Sequence, residues 1–222
     1  MSVRDNLLKL RQELPARVEL VAVSKTHPAE LIEEAYRAGQ RVFGENRPQE
    51  MHAKWQTLPQ DIRWHQIGHL QTNKVRLIAP FVEMIHSVDS ARLARVIDRE
   101  AARAGRVIDL LLELHIAAED SKEGWQWSEL TEWLEGGEWR EATNVRFRGV
   151  MGVATFTDNT ALVREEFNEL ARRHAELKER FFGEKFDVIS MGMSDDYRLA
   201  VECGSNMVRI GSLIFGNRTY KL

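Results

Sequence analysis

One lysine, Lys25, stands where an apolar stretch of the chain ends. The residues before it, 18–23, are rich in Val, Leu and Ala without a regular polar gap, which predicts a strand buried on both faces. Pro28 then favours the start of a helix. Lys25 therefore lies at the carboxyl end of a strand, where α/β sheets and (β/α) barrels carry their functional residues. Burial disfavours the charged form of an amine, and a neutral amine can form a Schiff base with an aldehyde. A surface ion pair is the alternative role.

Two segments near the end of the chain are built to bind an anion. Residues 190–196 read Ser-Met-Gly-Met-Ser-Asp-Asp and residues 208–212 read Val-Arg-Ile-Gly-Ser. In barrels, the loops after the seventh and eighth strands commonly bind phosphate, so we expect hydroxyls and backbone N–H groups of Ser194, Gly211 and Ser212 to do so. The alternative is that Ser194 and Asp195 cap the helix that follows. A strand-end lysine together with a phosphate site implies a small phosphorylated aldehyde, and pyridoxal 5'-phosphate (PLP) is the leading candidate.

The elements that must position these residues alternate regularly along the chain. An amphipathic helix is predicted over 3–14, followed by eight strands, each with a helix after it where the chain leaves room. The predicted strands are 18–25, 41–45, 63–68, 84–88, 108–116, 147–153, 187–192 and 207–212, and the helices between them are 28–38, 48–56, 72–78, 91–104, 127–134, 161–182 and 196–203. Parallel strands need such crossovers, and eight of them close without an edge. We therefore predict an α/β protein, a (β/α)8 TIM barrel with an extra N-terminal helix, formed as one domain over 1–222. A doubly wound open sheet is the alternative.

Composition and charge exclude several classes of protein. The 222 residues are 43% hydrophobic and 29% charged, as in an ordinary globular chain, and the net charge of -3 does not favour nucleic acid or an anionic membrane as a partner. The single cysteine, Cys203, cannot form an internal disulfide. The first ten residues lack a signal-peptide core, and no segment has about 18 consecutive apolar residues. We therefore expect a cytoplasmic protein.

Six segments in the same order along the chain are similar to one known family. They are 22–26 (AVSKT), 43–46 (FGEN), 64–74 (WHQIGHLQTNK), 86–89 (HSVD), 190–196 (SMGMSDD) and 208–212 (VRIGS). With them the chain resembles, from about residue 21 to 220, the YggS/PROSC family of pyridoxal phosphate homeostasis proteins, relatives of the alanine racemase barrel domain. That resemblance implies a barrel of PLP fold type III.

The resemblance also implies roles for individual residues. Lys25 would hold PLP as a Schiff base, Asn46 would lie beside the ring and Arg209 would face the pyridine nitrogen. Ser194, Gly211 and Ser212 would bind the phosphate, and Met193 would line the pocket. An arginine at the ring nitrogen donates a hydrogen bond without transferring a proton, which makes the ring a weaker electron sink than a carboxylate partner would. No catalytic residue and no metal ligand are predicted.

Racemases with this barrel take a second base, a tyrosine, from a further domain. The tyrosines of this sequence are Tyr36, Tyr197 and Tyr220, and the sequence reaches Leu222 soon after the eighth predicted strand. Without a base on the opposite ring face, proton transfer at an amino acid α-carbon lacks one of its two participants. We therefore expect a carrier or buffer of PLP, monomeric, with PLP-dependent apoenzymes as partners. A small racemase or decarboxylase is the alternative.

The chain departs from the family pattern around the fifth and sixth units. His115 replaces a smaller polar residue near the predicted barrel mouth, although Ser121, Lys122 and Gly124 match. The polar loop 154–158 after the sixth strand is longer than expected. Both changes lie where they would alter access to the pocket.

Overall fold

The structure, a computed structural model, describes residues 2–118 and 123–216. Within these ranges, parallel strands pair in chain order and the last pairs with the first, which closes the barrel. The strands are β1 (Glu19–Val23), β2 (Val42–Glu45), β3 (Arg63–Gln66), β4 (Met84–Val88), β5 (Ile108–Glu113), β6 (Val145–Met151), β7 (Val188–Ser190) and β8 (Met207–Ile210). The predicted (β/α)8 barrel is confirmed, and the open sheet is wrong.

Helices connect successive strands, and one further helix precedes the first strand and another follows the last. They are α1 (Val3–Glu13), α2 (Ala29–Arg37), α3 (Pro48–Thr57), α4 (Val75–Ile78), α5 (Ala91–Arg103), α6 (Trp127–Gly136), α7 (Thr160–Leu177), α8 (Tyr197–Glu202) and α9 (Ser212–Phe215). The extra N-terminal helix begins with a capping box between Ser2 and Asp5. In the part of the chain that is described, no helix is long and apolar enough to cross a membrane.

Several element ends differ from the prediction. The predicted helix over 161–182 ends as regular α-helix at Leu177 and continues as a π-helical turn, Lys178–Phe182, up to Gly183, whose φ is +71°. The predicted eighth strand over 207–212 ends at Ile210, because Gly211 leaves the extended conformation, with φ -119° and ψ -67°, and Ser212 begins α9. The predicted fifth strand ends at Glu113 instead of residue 116.

Inward-facing side chains form two layers inside the barrel. The lower layer is a separate apolar cluster, contributed by Val21, Val42, Met84, Leu111, Met151, Val188 and Met207. Side chains alternate along a strand, so the residue two positions further faces inward as well. On four of these strands that residue is polar, namely His86, Glu113, Ser190 and Arg209. His65 of β3, whose Nδ1 lies 3.0 Å from His86 Nε2, joins them, and all five are at least nine-tenths buried. The apolar lower layer therefore fills the barrel interior, and the polar layer lies above it, toward the carboxyl ends of the strands.

Candidate functional site

The predicted site residues lie along one arc of the barrel mouth. Lys25 follows β1 and Asn46 follows β2, while Met193 and Ser194 follow β7. Arg209 lies on β8, and Gly211 and Ser212 come directly after it. Because β7, β8, β1 and β2 are neighbours in the closed barrel, the topology brings together residues separated by up to 187 positions in sequence.

Lys25 is partly buried two residues beyond the end of β1. The ladder continues for one further bond, because the Ser24 N–H donates to the Gly44 carbonyl at 3.0 Å. Thr26 has a φ of +66°, in the left-handed region that a β-branched residue rarely adopts. The lysine therefore stands at a sharp turn between the strand and α2.

Asn46 is held by close packing with the neighbouring strand end. A Cβ atom on Gly68 would lie 2.8 Å from the Asn46 Cγ, so only glycine allows this approach. The Gln66 side chain donates to the carbonyls of both Asn46 and Gly68 at 2.9 Å, and Ser87 Oγ donates to the Gly68 carbonyl at 2.7 Å. These partly buried hydrogen bonds fix the backbone of Asn46 and Gly68 at the mouth.

Arg209 is the buried cation of the polar layer. Its Nη1 donates to the carbonyl of Ser190 at 2.8 Å and to Ser190 Oγ at 2.7 Å, and its Nη2 donates to the Gly152 carbonyl at 3.0 Å. These bonds use three of the five guanidinium N–H donors and leave two for a ligand. Burial lowers the pKa of Arg209 to about 10, which still leaves the side chain charged at neutral pH, and Glu113 and Asp196 oppose that shift.

A chain of hydrogen bonds runs from Arg209 into the barrel. Ser190 Oγ lies 3.1 Å from His86 Nδ1, and His86 Nε2 lies 3.0 Å from His65 Nδ1. Since Ser190 Oγ accepts from the arginine, its own proton is free to be donated to His86 Nδ1, which assigns the second proton of this relay to His86 Nε2. Burial lowers the pKa of His65 to about 3 and that of His86 well below its usual value, so both rings are neutral.

The predicted phosphate residues lie in short loops with unused N–H groups. The backbone N–H groups of Ser194, Gly211 and Ser212 have no hydrogen-bond acceptor within the described ranges. A Cβ on Gly211 would lie 3.0 Å from the Val23 carbonyl oxygen, so glycine permits this loop to approach β1 closely. The capping alternative for Ser194 is wrong, because the residue that precedes α8 is Asp196, whose carboxylate accepts from the Met193 N–H at 2.6 Å.

Glu113 is the acid of the polar layer. It lines a cavity of about 330 Å³ that opens at the mouth and is also bounded by Asn46, His69, His115 and Glu123. Its Oε2 atom is buried without a hydrogen-bond partner among the described residues. Burial raises the pKa of Glu113 to about 8, and the negative charges of nearby acids add to that rise. The sequence interpretation missed this residue, and an acid in an otherwise apolar strand is the signal that could have found it.

The tyrosines considered as second bases are engaged elsewhere or not described. Tyr36 donates to Asp61 at 2.6 Å and Tyr197 donates to Glu13 at 2.7 Å. Tyr220, like Ser121 and Lys122 of the family pattern, lies outside the described residues.

Comparisons with known proteins identify relatives of the whole chain. A family model of the alanine racemase N-terminal domain matches residues 1–219. The pyridoxal phosphate homeostasis protein of Pasteurella multocida is 34% identical over 233 residues, which cover 99% of both chains. That of Aquifex aeolicus is 39% identical over 203 residues, 91% of this chain and 88% of the other.

Solved structures agree with these matches. PipY of Synechococcus elongatus PCC7942, with PLP bound, has a TM-score of 0.88 and 38% identity, covering 97% of this chain and 100% of the other. Alanine racemase of Clostridium difficile 630, at 16% identity, has a TM-score of 0.80 and shares the fold. The match covers 99% of this chain and 61% of the racemase chain. This chain belongs to the pyridoxal phosphate homeostasis protein family, whose barrel is of the alanine racemase N-terminal domain type.

Proposed function

We propose that this chain binds PLP through Lys25 and serves as a carrier or buffer of the cofactor in PLP homeostasis. One observation carries the proposal. The first and last strands pair, with Ala22 opposite Ile210, so the loop that bears the lysine adjoins the Gly211 loop with its unused N–H groups. A primary amine beside an anion-binding loop matches the aldehyde and the phosphate of PLP.

The other predicted residues complete the fit to the cofactor. When bound, PLP supplies an aldehyde that condenses with a primary amine. Arg209 has two N–H donors left for the ring nitrogen, Asn46 is held beside the mouth, and the partly exposed Met193 precedes Ser194 in the loop after β7. An acceptor-free, charged guanidinium at the nitrogen keeps the ring a weak electron sink, which suits retention of the cofactor better than amino acid catalysis.

A carrier is favoured over a racemase by the surroundings of the tyrosines. The hydroxyls of both described tyrosines donate to carboxylates outside the mouth, at Asp61 and Glu13. Racemisation needs a proton acceptor and a donor on opposite faces of the substrate carbon. We infer that the partners are PLP and the apoenzymes that receive it, and that a monomer suffices because the seven predicted residues come from one chain.

The test is a peptide map of the protein after incubation with PLP and reduction with borohydride. We expect one pyridoxyl group, attached at Lys25. In K25A we expect both this group and the visible absorption of the bound cofactor to be lost. Full absorption in K25A would contradict the proposed attachment. Racemisation of amino acids by the wild-type protein and not by K25A would favour the enzyme alternative.

A further inference from the structure

A buried ionic cluster lies directly behind the lysine that we assign to the cofactor. It consists of Glu45 at the end of β2 and of Glu50 and Lys54 on α3. Lys54 Nζ lies 2.7 Å from Glu45 Oε1 and 2.7 Å from Glu50 Oε1. The Lys54 side chain is 10% exposed and the Glu45 side chain is fully buried, so solvent screens this cluster little.

The ammonium group of Lys54 has a partner for each of its protons. Besides the two carboxylates, Nζ donates to the Ser24 carbonyl at 2.8 Å. An ammonium group has three donors and no acceptor, so these three bonds use every donor of Lys54. A protonated amine has no free electron pair to attack an aldehyde. Lys54 is therefore a structural cation and leaves Lys25 as the reactive amine.

The cluster binds the residues on both sides of Lys25. Ser24 is held twice, because its hydroxyl donates to Glu45 Oε1 at 2.6 Å while its carbonyl accepts from Lys54. On the other side, the Thr26 N–H donates to Glu50 Oε1 at 2.6 Å. Each neighbour of the lysine is thus connected to the same ammonium group, directly or through one carboxylate.

The backbone conformation at this point needs such support. Thr26 has a φ of +66°, and a β-branched residue keeps that conformation only when its surroundings enforce it. In this conformation the Thr26 N–H points at Glu50 Oε1, whereas in an ordinary extended conformation the same N–H would point elsewhere. The cluster therefore stabilises the turn that carries Lys25 from the strand toward the mouth.

We propose that Lys54, acting with Glu45 and Glu50, is a positioning residue that directs the Lys25 amine toward the aldehyde of the cofactor; this inference rests on the proposed function. In the step concerned, the Lys25 nitrogen bonds to the aldehyde carbon and one water molecule leaves, so no oxidant or reductant is required. The cluster contacts neither reactant and acts through the backbone of Ser24 and Thr26.

The test compares K54M with the wild-type protein and with K185M, since Lys185 is exposed on the loop before β7, at the amino end of the strand. PLP is added, aliquots are reduced with borohydride at intervals, and the fraction of Lys25 that carries a pyridoxyl group is measured by peptide mass. We expect attachment to be about 10 to 100 times slower in K54M, the range that misplacement of a reacting group produces. K185M should match the wild type.

A second ligand separates positioning from loss of the pocket. Pyridoxine 5'-phosphate has the phosphate and ring but no aldehyde, so its affinity for K54M should stay within about twofold of wild type if the anion site is intact. Attachment at wild-type rate in K54M would overturn the inference. A wild-type protein that acquires no pyridoxyl group would instead overturn the proposed function.

Glu50 provides a pair of variants should K54M fail to fold. Its side chain is 23% exposed, so truncation there is tolerated better than at Lys54. E50A removes the acceptor of the Thr26 N–H, whereas E50Q keeps an oxygen at that position. We expect slow attachment in E50A and recovery of most of the rate in E50Q. Equal rates in these two variants would contradict a role through Thr26.

Discussion

Glu113 shows how the barrel changes the chemistry of a single residue. Glu113 is 8% exposed above an apolar layer, and burial raises its pKa from the ordinary value of 4.5 to about 8. The folded protein therefore holds this proton over a pH range in which the unfolded chain has released it. The stability that this proton contributes is complete below pH 4.5 and is lost as the pH rises through 8.

We expect the substitution E113Q to remove this pH dependence. In the cofactor-free wild-type protein, the free energy of unfolding should fall by on the order of 3 kcal/mol between pH 5 and pH 8 because of Glu113, since one pKa unit corresponds to about 1.4 kcal/mol. Denaturant unfolding at several pH values measures this slope. E179Q, at an exposed glutamate, is the control and should keep the wild-type slope. An unchanged slope in E113Q would contradict the assignment.

The sequence pattern indicated candidate residues at strand ends, whereas it did not indicate the polar side chains inside the barrel. Lys25 and Gly211 were predicted because each comes soon after an apolar strand, and strand ends at the carboxyl side are where barrels carry ligands. The histidine relay was missed because the sequence does not say which face of β3 or β4 points inward. That choice depends on strand register, which closure of the barrel determines.

Among the elements, β7 and β8 form a seam that depends on side chains. The backbone register between them includes Ser190 opposite Met207. The Asn206 side chain accepts from the Ile189 N–H at 2.8 Å and donates to the Asp187 carbonyl at 2.6 Å. These side-chain bonds replace ladder bonds that such short strands do not supply.

We expect N206A to weaken this seam. The substitution leaves the Ile189 N–H without its acceptor, which costs about 1 to 3 kcal/mol in the free energy of unfolding. Hydrogen exchange followed by mass spectrometry should show faster exchange in peptides that contain β7 and β8. N168A, at an exposed position of α7, is the control. Unchanged exchange at β7 in N206A would refute the role of this side chain.

The order of strands and helices could be predicted from the sequence, whereas several boundaries could not. Hydrophobic runs and Gly or Pro signals separate the units, so the alternation is visible without a structure. The eighth strand was extended to Ser212 in the prediction, because Gly211 and Ser212 carry no signal that distinguishes a strand end from a helix start. In the structure Gly211 precedes α9 and lies close to Val23, a contact between distant segments that the local sequence does not reveal.

At the scale of the whole molecule, the proposed site would couple ligand binding to closure of the barrel. The proposed PLP site draws residues from loops after β1, β2, β7 and β8, and β1 and β8 are the strands that close the barrel. A ligand that contacts these loops binds only the folded chain, so it stabilises that chain by mass action.

We expect PLP to raise the melting temperature of the protein. At 100 times its dissociation constant a ligand contributes about 2.7 kcal/mol, which for a chain of this length corresponds to roughly 5 to 10 °C. Differential scanning fluorimetry measures the shift. In K25A, PLP should still raise the melting temperature, but by less than in the wild type, because the loops proposed to bind the phosphate remain. Absence of any shift in the wild type would contradict binding at these loops.

The chain of hydrogen bonds from Arg209 through Ser190 and His86 to His65, in which each group donates to the next, has a consequence for NMR spectroscopy. With both rings neutral and walled off from water, the proton shared between the two imidazoles has no ready route of exchange with solvent. Such a proton resonates far downfield of the amides and lasts long enough to be seen. Its chemical shift would change when a molecule at the mouth forms hydrogen bonds with the Arg209 guanidinium and so alters the bond from Arg209 to Ser190. The barrel thus contains a proton whose NMR signal reports on the proposed binding site above it.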